Sequence, residues 1–180
     1  MGDETHAMPS VLIVMGVSGA GKSTIAEALA QRLGWRFADA DGFHPAANVA
    51  KMSAGYPLTD DDRWPWLRAI AEEIDRVAAA GSHAVIACSA LKRAYRDVLL
   101  HGRGDVRLVY LDGDRQLIGA RLALRHDHFM PPGLLDSQFG TLEVPHADEQ
   151  PIVVAIDRPV EAMVDDILAR LPGHTRKLVE

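Results

Sequence analysis

Residues 16–23 read Gly16-Val17-Ser18-Gly19-Ala20-Gly21-Lys22-Ser23, and the rest of the chain is best read outward from them. The stretch matches G-x-x-x-x-G-K-[ST] in full. It follows the apolar run Val11–Met15 directly and precedes a helical stripe of Ile25, Leu29 and Leu33. A strand before and a helix after are the setting in which this pattern cradles phosphate. Glycines let backbone N–H groups turn inward around phosphate oxygens, and the helix N-terminus adds positive potential. Lys22 suits the β- and γ-phosphates as a mobile point charge, and the Ser23 hydroxyl suits Mg²⁺. With Thr24 next in line, residues 16–24 predict a nucleotide site. They do not by themselves specify a reaction.

Three further short apolar runs, 84–88, 106–111 and 152–156, are rich in Val, Ile or Leu and too short for helices. Such runs suit strands covered on both faces. A weaker run, 36–40, follows the helix stop at Gly34. Between them lie helical stripes. Leu67, Ile70, Ile74 and Val77 are opened by Asp60, Asp61 and Asp62 and closed by Gly81. Val160, Met163, Val164, Ile167, Leu168 and Leu171 share one face, with Asp157 as N-cap, Pro159 in the first turn and Pro172-Gly173 as the stop. Alternating strands and helices predict an α/β fold: a three-layer αβα sandwich around a five-stranded parallel sheet. Ligands then belong at the carboxyl ends of the strands.

A chain of 180 residues suits one domain with a continuous core. The expected division is a leader over 1–10, one domain over 11–172 with a helical lid at about 121–137, and a tail over 173–180. The leader carries Asp3 and Glu4 and lacks the basic and apolar segments of a signal peptide. No apolar run approaches the ~20 residues that span a bilayer, so no membrane role is expected. Cys88 is the single cysteine, which excludes an internal disulfide and suits a reducing, cytoplasmic compartment. The formal charge of −6 lacks the basic field of a general nucleic-acid binder.

Asp39 and Asp41 fall at the carboxyl end of the weak second strand, beside the phosphate loop. A hydroxyl acceptor must lose a proton during phosphoryl transfer, and a carboxylate within reach can take it. The same Asp and Gly residues equally suit a plain turn after the strand. His44, Lys51, Arg63, Lys92, Arg93 and Arg96 place cations in the segments after strands two and three. An anionic acceptor needs such charges, and the arginine fork suits a carboxylate; solvated helix surface is the alternative. Asp39-Ala40-Asp41-Gly42 also fits the loose D-x-x-G of a GTPase switch. Guanine readers of that class use Asn-Lys-x-Asp, however, and the only asparagine, Asn48, is followed by Val49.

From Val11 to Leu171 the chain resembles the small gluconokinases, relatives of shikimate and adenylate kinases. The segments that carry the resemblance are the phosphate loop; Asp39-Ala40-Asp41 with His44-Pro45; Asn48 with Lys51-Met52; and Gly55 through Leu67, reading GYPLTDDDRWPWL. They continue with Cys88-Ser89-Ala90-Leu91-Lys92, Tyr95-Arg96-Asp97, His128-Phe129-Met130, Ser137-Gln138-Phe139, Leu142-Glu143 and Asp148-Glu149. The resemblance implies transfer of phosphate from ATP, with Mg²⁺, to D-gluconate, by a homodimer. It implies Asp41 as acceptor-side base and Asp39 as a Mg²⁺ partner through water. Arg63 would grip the gluconate carboxylate, supported by His44, Lys51, Lys92 and Arg96, with His128 and Gln138 on the substrate side.

Arg121 and Arg125 lie on a helix running into Pro131-Pro132-Gly133, where a closing lid would exclude water and bring in Arg125. Asp127 stands where such kinases often carry glycine. Arg158, in Asp157-Arg158-Pro159, either lies against the adenine or belongs to a helix N-cap. Another sugar acid or a polyol as acceptor, or a nucleotide-binding regulator without transfer, are the alternative functions.

Overall fold

The computed structural model describes residues 7–100, 102–124 and 132–174. In chain order these form β1 (Val11–Met15), α1 (Lys22–Leu33), β2 (Arg36–Asp39), α2 (Ala46–Ser53), α3 (Asp60–Ala79), β3 (Ala84–Ala87) and α4 (Arg93–Leu100). There follow β4 (Val106–Asp112), α5 (Arg115–Ala123), α6 (Pro132–Thr141), β5 (Ile152–Ala155) and α7 (Val160–Arg170). The five strands are parallel, in the order β2-β3-β1-β4-β5. No helix among the described residues is long and apolar enough to cross a membrane.

The central strand shows why the sheet carries helices on both sides. All five residues of β1 are fully buried, and successive side chains leave opposite faces of a strand. Leu12 and Val14 pack with Ile25 and Leu29 of α1 and Met163 and Ile167 of α7. Val11, Ile13 and Met15 pack with Leu67, Ile70 and Ile74 of α3 and Leu99 of α4. A strand buried on both faces has no polar positions to alternate, so it reads as an unbroken apolar run. β2 read weakly because it is an edge strand, with Arg36 and Asp39 exposed.

β1 matches its expected run, the other four strands differ from theirs by one residue at the carboxyl end, and the ladder bonds Cys88 N–H to Val14 O and Ile156 N–H to Asp112 O, both 3.0 Å, continue just past β3 and β5. One helix boundary needs correction. Pro159, not Asp157, is the N-cap of α7, with ψ 148 and its carbonyl accepting the Met163 N–H at 3.1 Å. An extended N-cap tolerates a residue with no N–H to give. Val160 accordingly lies outside the buried stripe, at 40% exposure.

The strand order fixes where ligands fit. The chain runs from β1 to β2 on one side, returns through β3, then crosses to β4 on the other side of β1. The carboxyl end of β1 is thus the point where the order reverses, the preferred crevice of open α/β sheets. The segments leaving β1, β3 and β2 lie side by side there.

Candidate active site

The loop after β1 turns sharply into α1. Gly21, the N-cap of α1, has φ 95, and Gly19 has φ 84, conformations that side chains rarely adopt. A Cβ on Gly19 would also lie 2.8 Å from Leu122 Cγ of α5, so glycine is what allows that helix to approach. Val17 and Ala20 are buried in the core and offer the loop only backbone groups, as does Gly16. Lys22 Nζ arches back to the Val17 carbonyl at 3.1 Å. In front of the loop lies an open cleft of about 540 Å³, lined by residues that include Ser18, Lys22, Ser23, Thr24, Asp39 and Asp41.

Asp39 is tied on both oxygens. Oδ2 accepts the Ser23 hydroxyl at 3.2 Å, and Oδ1 accepts the Asp41 backbone N–H at 2.9 Å, capping the 3₁₀ turn over Ala40–Phe43. A hydroxyl and a carboxylate this close form a hard-oxygen pair of the kind that Mg²⁺ takes beside a triphosphate. The Asp41 side chain is 87% exposed and faces His44, with Oδ1 to Nε2 at 4.0 Å. Asp39 caps the turn that carries Asp41, and both residues line the cleft.

His44 is stacked on Trp66, ring centroids 4.4 Å apart, and Trp66 Nε1 donates to the Ala40 carbonyl at 2.7 Å. The Asn48 amide contacts His44 Nδ1 at 3.2 Å and donates to the Asp62 carbonyl at 2.8 Å. Lys51 Nζ meets Asp62 Oδ2 at 2.6 Å. That bond, with the Thr59 N–H, brings Asp62 down to about 2. Asp62 and Thr59 also form the capping box of α3.

Burial lowers the affinity of His44 for a proton; Asp41 opposes this and Arg63 adds to it, leaving the ring below its ordinary value. An unfolded chain then binds the proton more tightly than the native one. Stability from neutral His44 is full above the unfolded value of about 6.5 and is lost as pH falls through the lower native value. Denaturant titrations at pH 8 and pH 5 should therefore show wild type losing more stability on acidification than His44→Gln. Equal losses would remove His44 as a source of the pH dependence.

Arg63 and Lys92 converge from α3 and from the segment after β3. Lys92 Nζ contacts Asp60 at 3.0 and 3.2 Å, and Arg63 Nη1 donates to the Tyr95 hydroxyl at 3.4 Å. Arg96, expected as a substrate contact, is placed otherwise. Its side chain is 1% exposed; Nε and Nη2 meet Glu149 at 2.6 and 3.3 Å, and Nη1 meets the carbonyls of Ala90 and Leu91. Burial alone would push Glu149 up, but Arg96 and the His146 N–H outweigh it and hold the carboxyl low. Arg96 clamps the turn in which Ala90 has φ 45, and so sets the course of the chain that carries Lys92.

Gln138, expected on the substrate side, lines the cleft. Its Oε1 accepts the Ser18 N–H at 2.6 Å and its Nε2 donates to Ser18 Oγ at 2.8 Å, so α6 is tied to the phosphate loop. Arg121 Nη2 donates to the Ile156 carbonyl at 2.6 Å, and Arg158 pairs with Asp166 at 2.8 Å. The Arg125 and His128 expectations lie outside the described residues. Cys88 lines the cleft, yet burial pushes its thiol up to about 12, leaving it un-ionised. Asp60 was legible only as a helix start, and Tyr95 carried no role at all. Their contact joins residues 35 positions apart, for which sequence carries no local signal.

A family model described as an AAA domain matches residues 11–144. The gluconokinase of Gluconobacter oxydans is 47% identical over 163 residues, 89% of this chain and 90% of that protein. The crystal structure of a gluconokinase from Sinorhizobium meliloti superposes with a TM-score of 0.81 at 44% identity, covering 90% of this chain and 91% of the other. The shikimate kinase of Bacteroides thetaiotaomicron, at 18% identity, TM-score 0.65 and coverages of 91% and 98%, shares the fold. A phosphate loop at the sheet's switch point, a tethered Asp39 and kinship of this degree over about nine-tenths of the chain lead to one assignment: the chain belongs to the gluconokinase family of P-loop kinases.

Proposed function

We propose that the chain transfers the γ-phosphate of ATP to the 6-hydroxyl of D-gluconate. The observation that carries this reading is the cleft itself, lined by Lys22, Ser23, Asp39 and Asp41 together. The backbone N–H groups of residues 19–24 and the Lys22 ammonium hold the phosphates. Ser23, and Asp39 through water, hold Mg²⁺, which when bound supplies charge neutralisation at the β- and γ-oxygens. Asp41 accepts the proton of the attacking hydroxyl while the bond from γ-phosphorus to the bridging oxygen breaks and ADP departs. Arg63 and Lys92 bind the carboxylate end, with His44 and Lys51 shaping the wall. Arg125 closes from the lid with His128, and Arg121 and Arg158 serve the nucleotide side. This reading also takes residues 11–172 as one kinase domain, working as a cytoplasmic homodimer.

A panel of sugar acids and polyols assayed for ADP release tests the proposal. Gluconate-dependent release is expected, with the phosphate recovered on the acceptor. Release with a different acid or with a polyol only would reassign the acceptor, and nucleotide binding without acceptor-dependent turnover would replace the enzyme with a regulator.

A further inference from the structure

The cations set aside for an acidic acceptor already face a carboxylate, and it belongs to the chain. Asp60, the first residue of α3, accepts from the Tyr95 hydroxyl and from Lys92 Nζ, the latter at 3.2 Å to Oδ1 and 3.0 Å to Oδ2. Arg63 Nη1 stands 3.7 Å from the same Oδ1. The Arg63 and Lys92 charges also lie over the Tyr95 ring, 5.8 and 5.6 Å from its centroid. The Tyr95 and Lys92 bonds hold the Asp60 carboxyl below its usual range, and Asp60 in turn raises Lys92. Two positive charges thus meet one negative charge, with the Asp60 side chain 46% exposed and those of Arg63 and Lys92 each 31% exposed. Arg and Lys together offer more N–H groups than one carboxylate uses.

We propose that Asp60 is the resident counter-ion of the acceptor's acid subsite. It takes the Lys92 and Tyr95 donors and faces the Arg63 charge when no acceptor is bound, and it competes for all three with an incoming carboxylate. Tyr95 is then a further specificity contact. This deepens the gluconate reading and rests on it. The competition has a use in turnover. Phosphorylation of the far hydroxyl leaves the carboxylate unchanged, so product and substrate grip the same donors. An internal rival shortens the stay of both, and product departure limits turnover in many enzymes. Like charges brought face to face weaken binding substantially, so removing the rival should tighten acids selectively.

The test compares wild type with Asp60→Asn, which keeps the shape and removes the charge. The KM for gluconate and the inhibition constant of 6-phosphogluconate should both fall about tenfold, while the affinity for neutral glucitol stays unchanged. A gluconate KM that rises or does not move, or a fall shared equally by glucitol, overturns the proposal. As a second arm, Tyr95→Phe should raise the gluconate KM several-fold with the ATP KM unaltered; an unchanged gluconate KM there also overturns it. Failure of the underlying gluconate reading is distinct, because wild type itself would then not turn gluconate over.

Discussion

Lys22→Ala is expected to abolish phosphoryl transfer, with residual turnover lowered by at least about 10³-fold. The transferring phosphoryl group passes through a transition state whose charge is spread over its peripheral oxygens, and the protein's contribution is position and opposing charge. In this chain Lys22 is the cation of the phosphate loop, held over the loop by the Val17 carbonyl and lining the cleft with Ser23 and Asp39. Alanine is a good helix former at the first position of α1, so the fold should persist. Acceptor-dependent ADP release by a variant of wild-type melting temperature is the measurement. Near-normal turnover would contradict the cradle.

The second large effect is expected at Asp41. Asp41→Asn should lower kcat by about 10²–10⁴ while ATP binding stays close to wild type. Asn preserves size and turn propensity but cannot take a proton from a hydroxyl. The side chain is almost fully solvent-exposed and, among the described residues, its one ionic approach is to His44 at 4.0 Å, so the substitution removes little from the fold. Asp39 sits two residues away but has both oxygens engaged, by Ser23 and by the Asp41 N–H, which fits metal-side duty better than proton transfer. Single-turnover rates with saturating ATP and acceptor separate the chemical step from binding. Retained turnover would remove Asp41 from the mechanism.

The two variants probe opposite sides of one cleft, and the structure relates those sides through short-range contacts. The Ser23–Asp39–Asp41 chain connects the phosphate loop to the 3₁₀ turn after β2, and the His44–Trp66–Ala40 contacts hold that turn against α3. Charge pairs add to these contacts: Lys51 with Asp62, and Arg63 and Lys92 around Asp60. Arg96, a buried guanidinium paired with Glu149, fixes the turn before Lys92.

Much of this was legible from residue order because the relevant physics is local. The phosphate loop is a run of eight residues whose glycines are demanded by backbone geometry, and at Gly19 and Gly21 the structure has the positive φ that such a turn requires. Strands buried on both faces announce themselves by having no polar positions, as β1 does. The weak signal of β2 has the same origin, since an edge strand is only half covered. The start of α3 was marked by its acidic run, and its capping box lies within four residues of chain.

Sequence alone, then, determined the architecture and the nucleotide cradle, since backbone conformation and apolar periodicity act over a few neighbouring positions. Tertiary structure decided which charge meets which. Arg96 and Lys92 lie four residues apart and look alike as letters, yet one is buried against Glu149, 53 positions away, and the other stands half-exposed beside Asp60. The Gln138 amide meets Ser18, 120 positions earlier in the chain. The choice of an ionic or hydrogen-bond partner depends on distance and desolvation after the chain has folded, and neither quantity is written in the local order of residues.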